Sequence, residues 1–142
     1  MTHASNCHDM WTGKGEKMEK RRSFGSYLRE KRLEKGITMR TVCEALKVSL
    51  PYMSDIENDR RNPLDKEKLD QLMGVLCLSQ EEQRELYDLA GRGRDTVSPD
   101  LQEYIMDTDA VRIALRTARD ADISAEEWLR FAEMIQQKHK RE

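Results

Sequence analysis

Turn formers and rings are scarce in this chain of 142 residues, which holds seven Gly, three Pro and only 6% aromatic side chains. So few turn formers argue against a loop-rich β-sandwich, a collagen-like repeat or a disordered chain driven by Gly and Pro. Long apolar runs are missing too. Lys, Arg, Asp and Glu interrupt every segment and no apolar stretch follows the start, so neither a membrane-spanning helix nor a secretory signal is readable. The cysteines, Cys7, Cys43 and Cys77, are odd in number and widely spaced, which fits neither a disulfide framework nor a Cys-x-x-Cys metal knuckle. A reducing, cytoplasmic setting is the simpler expectation, with Cys43 and Cys77 serving as small core hydrophobes in apolar helical patterns.

Catalytic constellations are absent as well. His3, His8 and His139 lie near the ends, so neither a Ser-His-Asp arrangement nor a His-bearing helical metal site assembles. His3, Cys7 and His8 lack a fourth ligand for a metal. Gly91-Arg92-Gly93 lacks the preceding strand and the spacing of a phosphate loop. Carboxylate pairs such as Glu81-Glu82 and Glu126-Glu127 open helices, where negative charge suits the helix dipole. The chain is expected to be no enzyme and to use no cofactor and no metal.

What the chain has in quantity is charge, at 37% of residues, and it is unevenly placed. Residues 14–63 carry thirteen Lys/Arg against eight Asp/Glu, for +5; residues 64–142 carry twelve against eighteen, for -6; Asp9 brings the total to -2. A positive N-terminal half attracts a polyanion, and a negative C-terminal half keeps away from one.

Apolar periodicity begins at Ser23, which separates a flexible tail over 1–22 from an all-α remainder. Ser23 caps a first helix over about 24–35 with Phe24, Tyr27 and Leu28 on one face, ended by Gly36. Thr38 caps a short second helix with Met39, Val42, Cys43 and Leu46. After Lys47 and Val48, Ser49 caps a third, opened by Pro51 and carrying Tyr52, Met53 and Ile56, with Met53 and Ile56 turned inward. A polar, basic loop over 58–63 follows. A fourth helix over about 65–76 carries Leu69, Leu72, Met73 and Leu76, and Ser79 with Glu82 forms a capping box for a fifth, ending near Gly91. Residues 91–95 are expected to be a linker. Beyond it, three amphipathic stretches carry Leu101, Tyr104 and Ile105, then Val111, Ala114, Leu115 and Ala118, then Trp128, Leu129, Ala132 and Ile135. Each must cover its apolar face on its neighbours, on the first unit, or on a second copy.

Two helices meeting across a tight turn between Ile37 and Pro63 form the unit that presents a helix to DNA. Its wording, Ile37-Thr38, Val42-Cys43, Leu46, Val48-Ser49, Tyr52-Met53-Ser54, Ile56-Glu57 and Arg60-Arg61-Asn62-Pro63, resembles the helix-turn-helix of the lambda-repressor-like (Cro/Xre-type) regulators over about 24–78. The resemblance implies an all-α fold: a five-helix lambda-repressor-like DNA-binding domain over 23–91, followed by a small helical C-terminal region over 92–142.

A helix at about 49–58 is then expected to enter the major groove, reading bases with Ser49, Leu50, Pro51, Tyr52 and Asp55. Arg40, Thr41, Lys47, Asn58, Arg60, Arg61 and Asn62 are expected on phosphates, supplying affinity and register. In the family's pattern an arginine late in the first helix pairs with a glutamate closing the recognition helix, which makes Arg32 and Glu57 a structural ion pair. Three departures stand out: Met39 replaces the usual glutamine, Lys47 stands at a turn position that is commonly glycine, and no arginine is present to grip guanine. Readout would rest on Asp55 accepting from a cytosine amine, on thymine methyl contacts and on DNA shape.

The expected function is a sequence-specific, double-stranded-DNA-binding repressor of phage or mobile-element type, cytoplasmic and nucleoid-associated, with no membrane partner. It would act as a homodimer, with Trp128, Leu129, Ala132 and Ile135 as the dimer or partner surface. The competing reading is an adaptor or antitoxin-like module whose acidic C-terminal helices bind a protein partner.

Overall fold

Side-chain caps start the helices of the first unit, and left-handed residues stop several of them. The computed structural model describes residues 22–141, so all of the expected tail but Arg22, the His3, Cys7 and His8 group included, lies outside the described residues. Helix α1 spans Phe24–Glu34 behind a reciprocal cap between Ser23 and Ser26. Thr38 accepts from the Thr41 N–H at 3.1 Å to open α2, Met39–Leu46. Ser49 accepts from the Tyr52 N–H at 3.2 Å to open α3, Leu50–Glu57. Asp65 opens α4, Lys66–Leu76, and a Ser79–Glu82 capping box opens α5, Gln80–Arg94. Each cap satisfies a backbone N–H that the helix itself cannot.

These five helices bury one core. Leu28, Val42, Leu46, Met53, Ile56, Leu64, Leu69, Leu72, Leu76 and Leu86 are almost wholly enclosed, and α1 packs on α3 and α5 while α2 packs on α3 and α4. Cys43 is buried among them, and burial pushes its thiol above the ordinary value, which suits an inert packing role. Cys77 does not join it: this residue is exposed, with φ 52°, as the left-handed stop of α4. The backbone of α1 presses so closely on α3 that a Cβ at Gly25 would lie 2.4 Å from the Glu57 carbonyl oxygen.

Lys31 is buried and ties α1 to α5, donating to Glu82 at 3.0 Å and to Glu34 at 3.1 Å. Burial opposes ionisation of Glu82, but the Ser79 N–H and the Lys31 ammonium outweigh it and hold the carboxyl down to about 2 from 4.5. A depressed carboxyl stabilises the fold above its unfolded value, and that contribution disappears as pH falls from about 4.5 toward 2. Thermal unfolding should therefore show stability lost across that acid window. Glu82→Gln, which retains the cap, should flatten the loss; an unchanged slope in the variant would assign it to other carboxylates.

The expected linker at 91–95 is helical instead. α5 runs through both glycines to Arg94, and Asp95 ends it at φ 62°, so the break expected between 91 and 92 falls inside a helix. These glycines answer to close packing. A Cβ at Gly91 would lie 2.9 Å from the Ser98 backbone and one at Gly93 would lie 2.7 Å from Pro63 Cγ.

The chain divides into two compact units, the first running to Asp100 and the second beginning at Leu101. Three helices lead into and form the second: α6 Pro99–Asp107, α7 Asp109–Asp120 and α8 Ala125–Arg141. Arg112 closes the end of α6 by donating to the Ile105 and Met106 carbonyls. Ser124 and Glu127 cap α8 reciprocally, at 3.0 Å and 3.2 Å. No residue of α6 or α7 is buried, and residues 125–140 of α8 are all exposed. Eight helices and no strand make up the described residues, and none of these helices is long and apolar enough to cross a membrane.

Candidate nucleic-acid interface

The turn between α2 and α3 consists of Lys47, Val48 and Ser49. Lys47 takes the left-handed conformation at φ 61° and ψ 47°, and the Val48 N–H returns to the Cys43 carbonyl at 3.0 Å. A side chain at such a position costs about 1 kcal/mol against glycine. Lys47→Gly should accordingly raise the unfolding free energy by up to ~1 kcal/mol while removing an exposed cation beside the turn. Paired denaturation and DNA-binding titrations would separate the two effects. Loss of stability in the variant would show that the lysine side chain contributes more than its backbone strain costs.

The spacing of α3 puts Met53, Ile56 and Glu57 on the inner side, all buried. Ser49, Leu50 and Pro51 are exposed, and Tyr52, Ser54 and Asp55 half-buried. Arg40, Thr41 and Lys47 are exposed on and after α2. Met39 is partly buried against the core, so it packs rather than presenting a polar group.

Arg32 and Glu57 lock α3 to α1. Arg32 Nε donates to Glu57 Oε2 at 2.7 Å, Nη2 to Oε1 at 3.1 Å, and Nη1 to the Ile37 carbonyl at 3.1 Å. The two side chains are only 11% and 4% exposed. Paired hydrogen bonds of this fork-to-carboxylate kind define an orientation as well as an attraction.

The loop after α3 is anchored at both ends. Asn58 turns its amide back to the Ser54 carbonyl at 2.9 Å, closing α3. Asp59, at φ 59°, reaches the start of α1, accepting from Ser23 Oγ at 2.6 Å and the Gly25 N–H at 2.9 Å. Arg94 donates to the Pro63 carbonyl at 2.9 Å and 2.6 Å, so α5 holds the far end. Between these anchors Arg60, Arg61 and Asn62 project outward, the two arginines 72% and 53% exposed. Asp55 lies 3.9 Å from Arg60 and 3.6 Å from Arg61, and the Arg61 guanidinium sits 4.9 Å from the centre of the Tyr52 ring. Tyr52 thus serves as a stacking platform at the helix surface.

Arg60 and Arg61 share an open cleft of about 420 Å³ with Arg22 and Arg92, floored by Phe24, Pro63 and Leu89. Sequence reasoning missed Arg22 and Arg92, having placed one in the tail and the other in a linker. The signal that could have found Arg92 is its one-turn spacing from the buried Leu89 and the exposed Asp88, which continues the pattern of α5. It equally missed Asp59 as the tie between the loop and α1. Four guanidiniums around one cleft suit a polyanion's phosphates, although Asp59 lines the same cleft, Asp55 lies near Arg60 and Arg61, and Glu30 lies 3.5 Å from Arg22.

Residues 23–86 match the family model of a helix-turn-helix domain, and this segment is a helix-turn-helix domain, consistent with the Cro/Xre-like resemblance of its sequence. Such domains form a DNA-binding class. No curated protein and no solved structure matches the chain.

Proposed function

We propose that the chain is a non-enzymatic, sequence-specific regulator of transcription that binds double-stranded DNA through α3, acting as a repressor of phage or mobile-element type. The supporting observation is the outward face of α3, where Ser49, Leu50 and Pro51 are exposed beside Tyr52 and Asp55, flanked by the arginine cleft. In this reading those five residues meet base edges. Asp55 accepts from a cytosine amine, Leu50 and Pro51 touch thymine methyls, and Tyr52 supports Arg61 on the backbone. Arg40, Thr41, Lys47, Asn58, Arg60, Arg61 and Asn62 hold phosphates, joined by Arg22 and Arg92.

Self-association through α8, where Trp128, Leu129 and Ile135 are exposed, would place two such helices on paired half-sites and raise a modest affinity per copy. A fluorescence-anisotropy titration across the DNA flanking the protein's own gene tests the proposal. Specific binding that weakens steeply with salt supports it through counterion release. Absence of duplex binding at low salt, together with tight capture of a protein partner, would favour the adaptor reading instead.

A further inference from the structure

Seventeen residues form α8, and none of residues 125–140 is buried, although Trp128, Leu129, Phe131, Met134 and Ile135 are large and apolar. Helices in proteins owe most of their stability to packing of the apolar face, so this one calls for a cover. The charges of the helix indicate which one. Its first turn carries Glu126 and Glu127, and its last two turns carry Lys138 and Lys140. At 100° per residue, Trp128, Ala132, Ile135 and His139 fall on one seam, with Glu127 and Lys138 together along one flank of it.

Resting on the self-association reading above, we infer that two copies of this chain pair through α8 in antiparallel orientation, about a two-fold axis near Ala132. In an antiparallel pair, like flanks of the two helices face each other and run in opposite directions. Glu127 of each copy then meets Lys138 of the other, twice per dimer, and Trp128 stacks over Ile135 of the other. The small side chain of Ala132 lets the two backbones approach at the crossing. Glu127 can serve this pair as well as its own cap, because both bonds from Ser124 fall on Oε1, at 3.0 Å and 3.1 Å, and the residue is exposed. A parallel pair would instead set acidic turn beside acidic turn and lysine beside lysine, which is repulsive at both ends.

Disulfide trapping of the full-length chain, with Cys7 and Cys77 replaced by serine, reads the orientation directly. Ala132→Cys should cross-link to its own copy. A mixture of Ala125→Cys and His139→Cys chains should cross-link, whereas His139→Cys alone should not, since the two copies of that position would lie about 20 Å apart. Lys138→Glu should weaken the dimer about tenfold at low salt and much less at high salt, measured by sedimentation. A parent chain that stays monomeric at every concentration overturns self-association itself. A dimeric parent in which His139→Cys cross-links alone overturns only the antiparallel arrangement, and a dimeric parent that none of these cysteines traps places the interface off α8.

Discussion

Glu57→Ala is expected to destabilise the first unit by about 3–5 kcal/mol, because it leaves the Arg32 guanidinium enclosed without its carboxylate. That is a large part of the 5–15 kcal/mol typical of a whole domain, and it should lower the melting temperature by more than about 12 °C. The remaining bond from Arg32 to the Ile37 carbonyl satisfies one nitrogen and neutralises no charge. Replacing both partners, as in Arg32→Met with Glu57→Leu, should recover most of the loss, since two apolar side chains need no desolvation of charge. A double-mutant cycle by urea unfolding measures the difference. A loss below about 1 kcal/mol for Glu57→Ala would mean that the pair behaves as a solvated one, against its burial.

Removing Arg60, Arg61 and Arg92 together, by substitution with alanine, should lower DNA affinity about a hundredfold near physiological salt and cut the salt slope by roughly three units. The charge of Asp55 acts in the opposite direction. It partly neutralises Arg60 and Arg61 in the free protein, at 3.9 Å and 3.6 Å, and in the proposed complex it also reads a base. Asp55→Asn should therefore tighten binding to arbitrary duplex several-fold while narrowing the gap between operator and non-operator DNA. Titrations on both kinds of duplex at several salt concentrations check the two results together. If the triple variant kept its salt slope, the arginine cleft would not lie on the backbone and the docking face would have to be sought elsewhere. If Asp55→Asn weakened binding to every duplex alike, the carboxylate would be organising the loop rather than reading sequence.

The helix starts were legible because their chemistry is local. Ser23, Thr38, Ser49 and Ser79 each accept a hydrogen bond from a backbone N–H three residues on, and that relation is written in adjacent letters. The inward positions of α3 followed from helical spacing for the same reason. Residues 91–95 were misread because glycine carries two meanings, a free linker and a close contact, and only the contact partner distinguishes them. At Gly93 the partner is Pro63, thirty residues earlier. Cys77 was misread because it follows a regular apolar stripe by one residue, and the left-handed turn that ends α4 carries it outward.

For this protein, then, the order of residues was enough to determine the all-helical make-up of the described residues, the tight turn between α2 and α3, and a helix-turn-helix domain, since caps, periodicity and turn chemistry act over a few residues. Tertiary structure alone decided that Asp59 fastens the loop to α1, that Arg94 grips its far end, and that Arg22 and Arg92 come beside Arg60 and Arg61 in one cleft. Those relations join residues about thirty or more apart in the chain. They arise only when burial of the common core brings α1 and α5 against the two sides of that loop, and no local propensity encodes such a meeting.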